Sequence, residues 1–300
     1  MDLPYWTYED YFIFKPEFNG SIADYSDIIK QYCKLIFSDY NDSESSIEKI
    51  KNEKYFDCSI VGSKFDQPLS NELEQLINLT HIAFGGEFDK PLANSLDKLV
   101  NLTHISFDWK FNQPLSNSLD QLINLRLVTL GFYFNQPLTN SLDKLINLTH
   151  LTFNVHFNQP LLDSLKQLIN LTVLTFGLSF NQPLNDTLSH LTKLECLTLG
   201  LGFDQELILP SNIKILTLDC KNKNLIENLP NSIEQLNLNK YFNLPLDNLP
   251  NSIKIISFDK ESKYNNPLNN LPKLLEILEL PNEYKLEIIN LPPNCKIIYL

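Results

Sequence analysis

Phe-Asn-Gln-Pro-Leu begins at Phe111, Phe134, Phe157 and Phe180, 23 residues apart, and near-copies at Phe65, Phe88 and Phe203 hold the same spacing. A fixed period of about 20 to 50 residues means one supersecondary unit stacked many times, which predicts a solenoid. A lone unit of this size buries too little apolar surface to offset the entropy of ordering its backbone. Each copy must therefore lean on its neighbours. The Phe column (Phe88, Phe111, Phe134, Phe157, Phe180) is expected to stack in the interior, and the Asn column (Asn112, Asn135, Asn158, Asn181) to satisfy corner backbone groups.

Within a unit, residues 148–153 alternate apolar Leu148, Leu151 and Phe153 with polar residues, as a strand with one buried face requires. Pro160 then ends the strand, because it has no N–H to donate. Leu165, Leu168 and Ile169 follow at i, i+3, i+4, one face of a short helical return. The same phase predicts strands at 79–84, 102–107, 125–130, 171–176 and 194–199, all parallel. After Phe203 the spacing shortens to about 20 residues, with strands at 213–218, 233–238, 253–258, 275–280 and 295–300 and returns that read as extended or 3-10. An irregular strand is also expected at 56–61. The fold class is thus an α/β solenoid: a curved parallel sheet with short helical or 3-10 returns.

These strands, the Phe-Asn-Gln-Pro-Leu corners and the Leu-Pro-Asn-Ser-Ile returns (Leu229 to Ile233, Leu249 to Ile253) resemble the FNIP-type leucine-rich repeats of slime-mould and giant-virus proteins, from Phe65 to about Leu300. Glu206 takes the place of proline in one copy. The resemblance implies a leucine-rich-repeat sheet. It also implies that an F-box can precede the repeats, making such a protein a substrate receptor of a ubiquitin ligase.

Residues 1–55 differ from the rest and read as a helical cap or an adaptor-binding module ahead of a solenoid spanning 56–300. Aromatic residues crowd the first eighteen positions. Ser21 to Asp24 then reads as a helix start, with Ile22, Tyr25, Ile29, Tyr32, Cys33 and Ile36 on one helical face, and Ser45 to Glu48 reads as a second start.

Five scattered cysteines form no C-x-x-C pair, so neither a disulfide framework nor a zinc site is indicated, and a reducing cytoplasmic compartment is expected. No positively charged start precedes an apolar run and no 18-residue apolar stretch occurs, so neither a recognisable signal peptide nor a membrane span is expected. The net charge of −12 and the lack of a basic stripe argue against nucleic acid. No cofactor is implied: His81, His104 and His150 share a phase, but Leu127 interrupts them and no acidic ligand falls in phase. Gly85, Gly131, Gly177 and Gly200 read as turn residues after strands, and the Asn-x-Thr triplets at Asn78, Asn101, Asn147 and Asn170 as by-products of the repeat.

The expected function is non-catalytic binding of a protein on the concave sheet face; the alternative is a recruiter whose amino-terminal module engages a ubiquitin-ligase adaptor. The outward positions His81, His104, Leu127, His150, Val173, Ile215, Ile255 and Ile277 are the candidate contacts, as are Trp109 and Phe132 just after their strands. Strand 295–300, with Ile297 and Tyr299 expected outward, suggests a homodimer through its edge. Phe65, next to one repeat of its kind, is expected to matter less than Phe134.

Overall fold

The computed structural model describes residues 3–52 and 62–300, so the strand expected at 56–61, Cys58 and the boundary expected between 55 and 56 lie outside the described residues. The chain divides into two compact units, Met1–Leu171 and Thr172–Leu300.

In the first unit, β2 (Tyr11–Phe14), β3 (Lys34–Phe37), β4 (His81–Phe84), β5 (His104–Phe107), β6 (Leu127–Leu130) and β7 (His150–Phe153) are parallel neighbours in chain order. β1 (Tyr5–Tyr8) pairs antiparallel with β2. The second unit orders β8 (Val173–Thr175), β9 (Cys196–Leu199), β10 (Ile215–Leu218), β11 (Gln235–Leu238), β12 (Ile255–Phe258), β13 (Ile277–Leu280) and β14 (Lys296–Tyr299) in the same parallel way. Register follows the repeat: Ile82 pairs with Ile105, Val128 with Leu151, and Leu216 with Leu236.

In each unit the inward residues make an aromatic and aliphatic core. Phe65, Phe88, Phe111, Phe134 and Phe157 are fully buried, with ring centroids 5.8, 6.0, 6.2 and 6.1 Å apart and near-parallel planes. Strand-end rings fill the gaps: Phe84 lies 4.3 Å from Phe88 and Phe107 lies 3.9 Å from Phe111. In the second unit Phe180 stacks on Phe203 at 6.3 Å, and a separate run of rings, Phe242, Tyr264 and Tyr284, stands at 6.3 and 6.1 Å where the 23-residue spacing has lapsed. Beside it runs the corner ladder. Asn112 Oδ1 accepts from Asn135 N at 2.9 Å and from Gln136 Nε2 at 3.2 Å, and Asn135 does the same for Asn158 and Gln159. Asp66 and Asp89 take the asparagine's place in earlier turns, and Asn181 and Asn243 serve the second unit.

The amino-terminal segment is largely solenoid rather than a run of helices. A 3-10 turn at Ala23–Tyr25 and the four-residue α1 (Ser26–Ile29) are followed directly by β3, so Cys33 and Ile36 do not extend a helical face. Tertiary packing decides this. Phe14, Phe37 and Phe84 stack in sequence at 5.2 and 5.6 Å, and only a strand at 34–37 places Phe37 between the other two. The second helix, α2 (Ser43–Asn52), forms, but starts two residues early because Asp42 accepts the Ser45 N–H at 2.7 Å.

The returns are chains of i to i+3 turns. Leu168 N bonds Leu165 O and Leu171 N bonds Leu168 O, at 3.0 and 2.9 Å. At three residues per turn, Leu165, Leu168 and Leu171 share the inner side, and Ile169 is exposed rather than part of a buried face. Short helices occur at α3 (Asn185–Ser189) and α4 (Lys223–Glu227). On the outside, Asn101, Asn147 and Asn170 donate their side-chain amides to the carbonyls of Ile77, Ile123 and Ile146, so the Asn-x-Thr asparagines form a second ladder.

The post-strand glycines are required by closeness, not by turn conformation: no described glycine has positive φ, and a Cβ on Gly131 would sit 1.8 Å from Asp108 O. β14 is one residue out of the expected phase, since Ile277 pairs with Lys296 and Ile297 with Leu278.

Phe65 is not an end residue, because it stacks on Phe18 and Phe37 as well as Phe88, at 5.9, 4.0 and 5.8 Å. Phe65→Ala and Phe134→Ala should therefore each cost about 3–5 kcal/mol. Urea unfolding of both variants checks this; a much smaller loss at Phe65 would contradict a stack that reaches back to Phe18.

Candidate interaction face

The side of the sheet opposite the phenylalanine core carries the expected contact residues. In the first unit its leading row reads Tyr11, Lys34, His81, His104, Leu127, His150, in strand register. His81, His104 and His150 are half-buried, but Leu127 is buried at 8% exposure and presents little surface. Behind it, Ser106, Thr129 and Thr152 are buried too.

The imidazoles are held in one tautomer. Thr80 Oγ1 donates its single proton to Cys33 O at 3.1 Å, Thr103 Oγ1 to Thr80 O at 2.9 Å, and Thr149 Oγ1 to Arg126 O at 2.9 Å. Each hydroxyl oxygen also lies 2.8 to 2.9 Å from the Nδ1 of the following histidine. With its proton committed, the hydroxyl accepts, so Nδ1 carries the hydrogen and Nε2 keeps a lone pair. His81 and His104 stack face to face at 4.0 Å and 9°. Burial, then His104 and Lys34, push His81 down to about 4, and burial with His150, Lys34 and Arg126 also lowers His104.

Trp109 and Phe132, just past their strands, are half-buried and stacked at 4.1 Å and 10°. Exposed Tyr133 and His156 stack at 4.9 Å, and Tyr133 lies at 81° to Trp109. Sequence reasoning missed these last two, although they keep the 23-residue step one place further on. Further along this phase Val155 is buried, whereas Leu178 and Leu201 are exposed.

In the second unit the leading row is Val173, Cys196, Ile215, Gln235, Ile255 and Ile277, all half-exposed. Polar partners line it: Gln235 Nε2 donates to Asn237 Oδ1 at 2.9 Å, and Asn237 Nδ2 to Thr217 Oγ1 at 3.1 Å. On the entry side, Lys214 pairs with Glu195 at 2.6 Å and Lys254 with Glu234 at 2.7 Å, along an open groove of about 460 Å³ that also takes in Ser211, Asn231 and Ser252. Among the described residues no helix is long and apolar enough to cross a membrane.

Parallel one-strand turns with an inner leucine and phenylalanine column, corner asparagines and an open outer sheet face define a leucine-rich-repeat solenoid. Residues 222–261, which include Phe242-Asn-Leu-Pro-Leu246, match the family model of the FNIP Repeat. No curated protein sequence matches the chain. Among solved structures it is similar to CroV588, a circular LRR protein from a giant virus, at 27% identity and a TM-score of 0.74 over 99% of this chain and 41% of that one. The chain thus spans about two fifths of the length of CroV588. It is similar in fold to an internalin from Listeria monocytogenes (16% identity, TM-score 0.52, 78% of this chain and 65% of that one). Toll in its Drosophila complex with Spätzle is alike in fold as well (15%, 0.57, 97% and 43%).

A neutral His81 has a direct consequence for stability. Its folded value lies below its unfolded one, so its contribution is present above about 6.5 and is lost as pH falls through about 4. Melting temperature should drop across that window, and His81→Asn should flatten the drop; identical acid profiles would contradict a buried, neutral stack.

Proposed function

We propose that this chain is a non-catalytic scaffold that holds another protein against the outer face of its sheet. The observation that carries the reading is the row Ile215, Ile255 and Ile277: three aliphatic side chains in register, half-exposed, with ordered polar neighbours on one side and an ion-pair ladder on the other. Apolar anchors within a polar rim are the arrangement of a protein-binding patch. In the first unit His81, His104, His150 and Val173 across the unit boundary in sequence are assigned to the same role, and Trp109 with Phe132 to an aromatic rim. Leu127 serves as a buried spacer. Leucine-rich-repeat sheets are suited to this work because strand side chains on a rigid ladder vary without disturbing the core. Toll, similar in fold, forms a complex with Spätzle, which is consistent with a protein partner.

The recruiter alternative gains no support, because residues 11–14 and 34–37 belong to the sheet instead of forming a separate helical module. A cytoplasmic setting and self-pairing through 295–300 stay proposals of the same rank.

Affinity capture from cell lysate with the intact protein, followed by mass spectrometry, identifies the partner. Ile255→Lys with Ile277→Lys should weaken its binding by about tenfold or more while leaving the melting temperature nearly unchanged, since both side chains already meet solvent. Trp109→Ser with Phe132→Ser should weaken capture with a modest loss of stability. Undiminished capture by the double lysine variant would refute the assignment of this row.

A further inference from the structure

α2 lies on the outer face, not in the core. Ile47 is 4% exposed and packs with Tyr11, Ile13, Ile36 and Ala83, while Trp6 and Ile50 close the margin. Those four floor residues belong to the same two outward rows that continue as His104 and Ser106. Near β2 to β4, then, the face assigned above to a partner is already occupied by the chain itself.

The helix is pinned by charge. Between Ile47 and Ile50, Lys49 reaches two carboxylates, Asp39 Oδ2 at 2.5 Å and Asp108 beside it, and the three side chains are 6%, 2% and 13% exposed. Asp39 Oδ1 also accepts from the Ser63 and Gly86 N–H groups at 2.5 and 2.6 Å. A Cβ on Gly85 would fall 2.8 Å from that oxygen, so the cradle is built around the carboxylate. One ammonium neutralises one carboxylate. With a proton on the pair the cluster is neutral; without it, an extra negative charge is buried.

We propose that α2 is a lid over the outer face, locked by a proton that the Asp39–Asp108 pair holds around Lys49 and loosened when that proton leaves, so that the face open to a partner lengthens back to β2. This regulation rests on the binding role proposed above. Burial and the adjacent Asp39 push Asp108 up to about 7. Burial opposes the charge on Asp39, but Lys49 and its hydrogen bonds hold Asp39 below the usual carboxylate range. A raised carboxylate stabilises the closed lid fully below its ordinary value near 3.8, and that stabilisation is lost as pH rises through about 7. Protonation of Asp39 undoes the clamp only below the ordinary carboxylate range.

Other charged groups border the lid. Glu44, Glu48 and Lys51 line its outer side beside Tyr8, Lys15 lies over Trp6, and Lys34 contacts Tyr11 and Asp10. His81 and His104 face Ile50 across a small gap and, charging in acid, act in the opposite direction.

Hydrogen exchange of the intact protein, corrected for intrinsic rates, reads the lid without any partner. Between about pH 5 and 7 protection of 43–52 relative to β5–β7 should fall, approaching tenfold per pH unit, and level off above 7. Asp108→Asn, which keeps one ammonium and one carboxylate, should remove that fall. Relative protection that does not change with pH in the wild-type protein overturns the lid, as does an Asp108→Asn protein that follows the wild-type curve. Because the readout involves no captured protein, it separates a failed lid from a failed binding face.

Discussion

A proline corner leaves backbone N–H groups that the parallel sheet cannot reach, and the fold depends on how they are met. At the corners from Asp66 to Asn158 a side-chain oxygen of one repeat accepts the corner N–H of the next, as Asn112 does for Asn135 at 2.9 Å. A buried donor without a partner costs about 1–3 kcal/mol, so a missing oxygen would be felt at every corner. Because the acceptor sits one repeat away, local satisfaction and stacking are the same event. The phenylalanine column is held in line by this ladder, and the strands inherit their register from both.

Much of this was legible in the residues, and the physical reason is redundancy: a signal repeated at Phe111, Phe134, Phe157 and Phe180 survives the noise of any one copy. Strand positions followed from it to within two residues. The amino-terminal turns were not legible because their spacing is irregular, although Phe14 and Phe37 stand 23 residues apart. Helical periodicity at Ile22, Tyr25 and Ile29 competed with a strand run at Leu35-Ile36-Phe37, and long-range ring stacking prevailed. The returns misled for a subtler reason. A spacing of three and four suits both helix and successive turns, and only the exposure of Ile169 tells them apart.

The candidate face was half legible. Alternation assigned the outward rows in both units except at β14, which is shifted by one residue, but alternation says nothing about what lies on top. Leu127 and Ala83 are outward yet buried, the latter beneath Ile47. The cluster of Lys49, Asp39 and Asp108 left no trace in sequence pattern, since its members lie ten and 59 residues apart and no repeat links them. Groups brought together by three separate elements are where pattern reasoning runs out.

The corner ladder also has a direction. Each middle repeat of the first unit offers an oxygen forward and receives one from behind, so these turns are interchangeable in what they give and take. Excising or duplicating one whole 23-residue stretch there would leave the same matched corners on either side of the join, whereas any other length needs a rebuilt return, as in the second unit, where neighbouring strands keep one outward row at steps of 20 and 22 residues. The whole repeat is thus the simplest unit of change in such a chain. Its face can grow or shrink over evolutionary time in whole steps, while the chemistry written on each strand drifts independently.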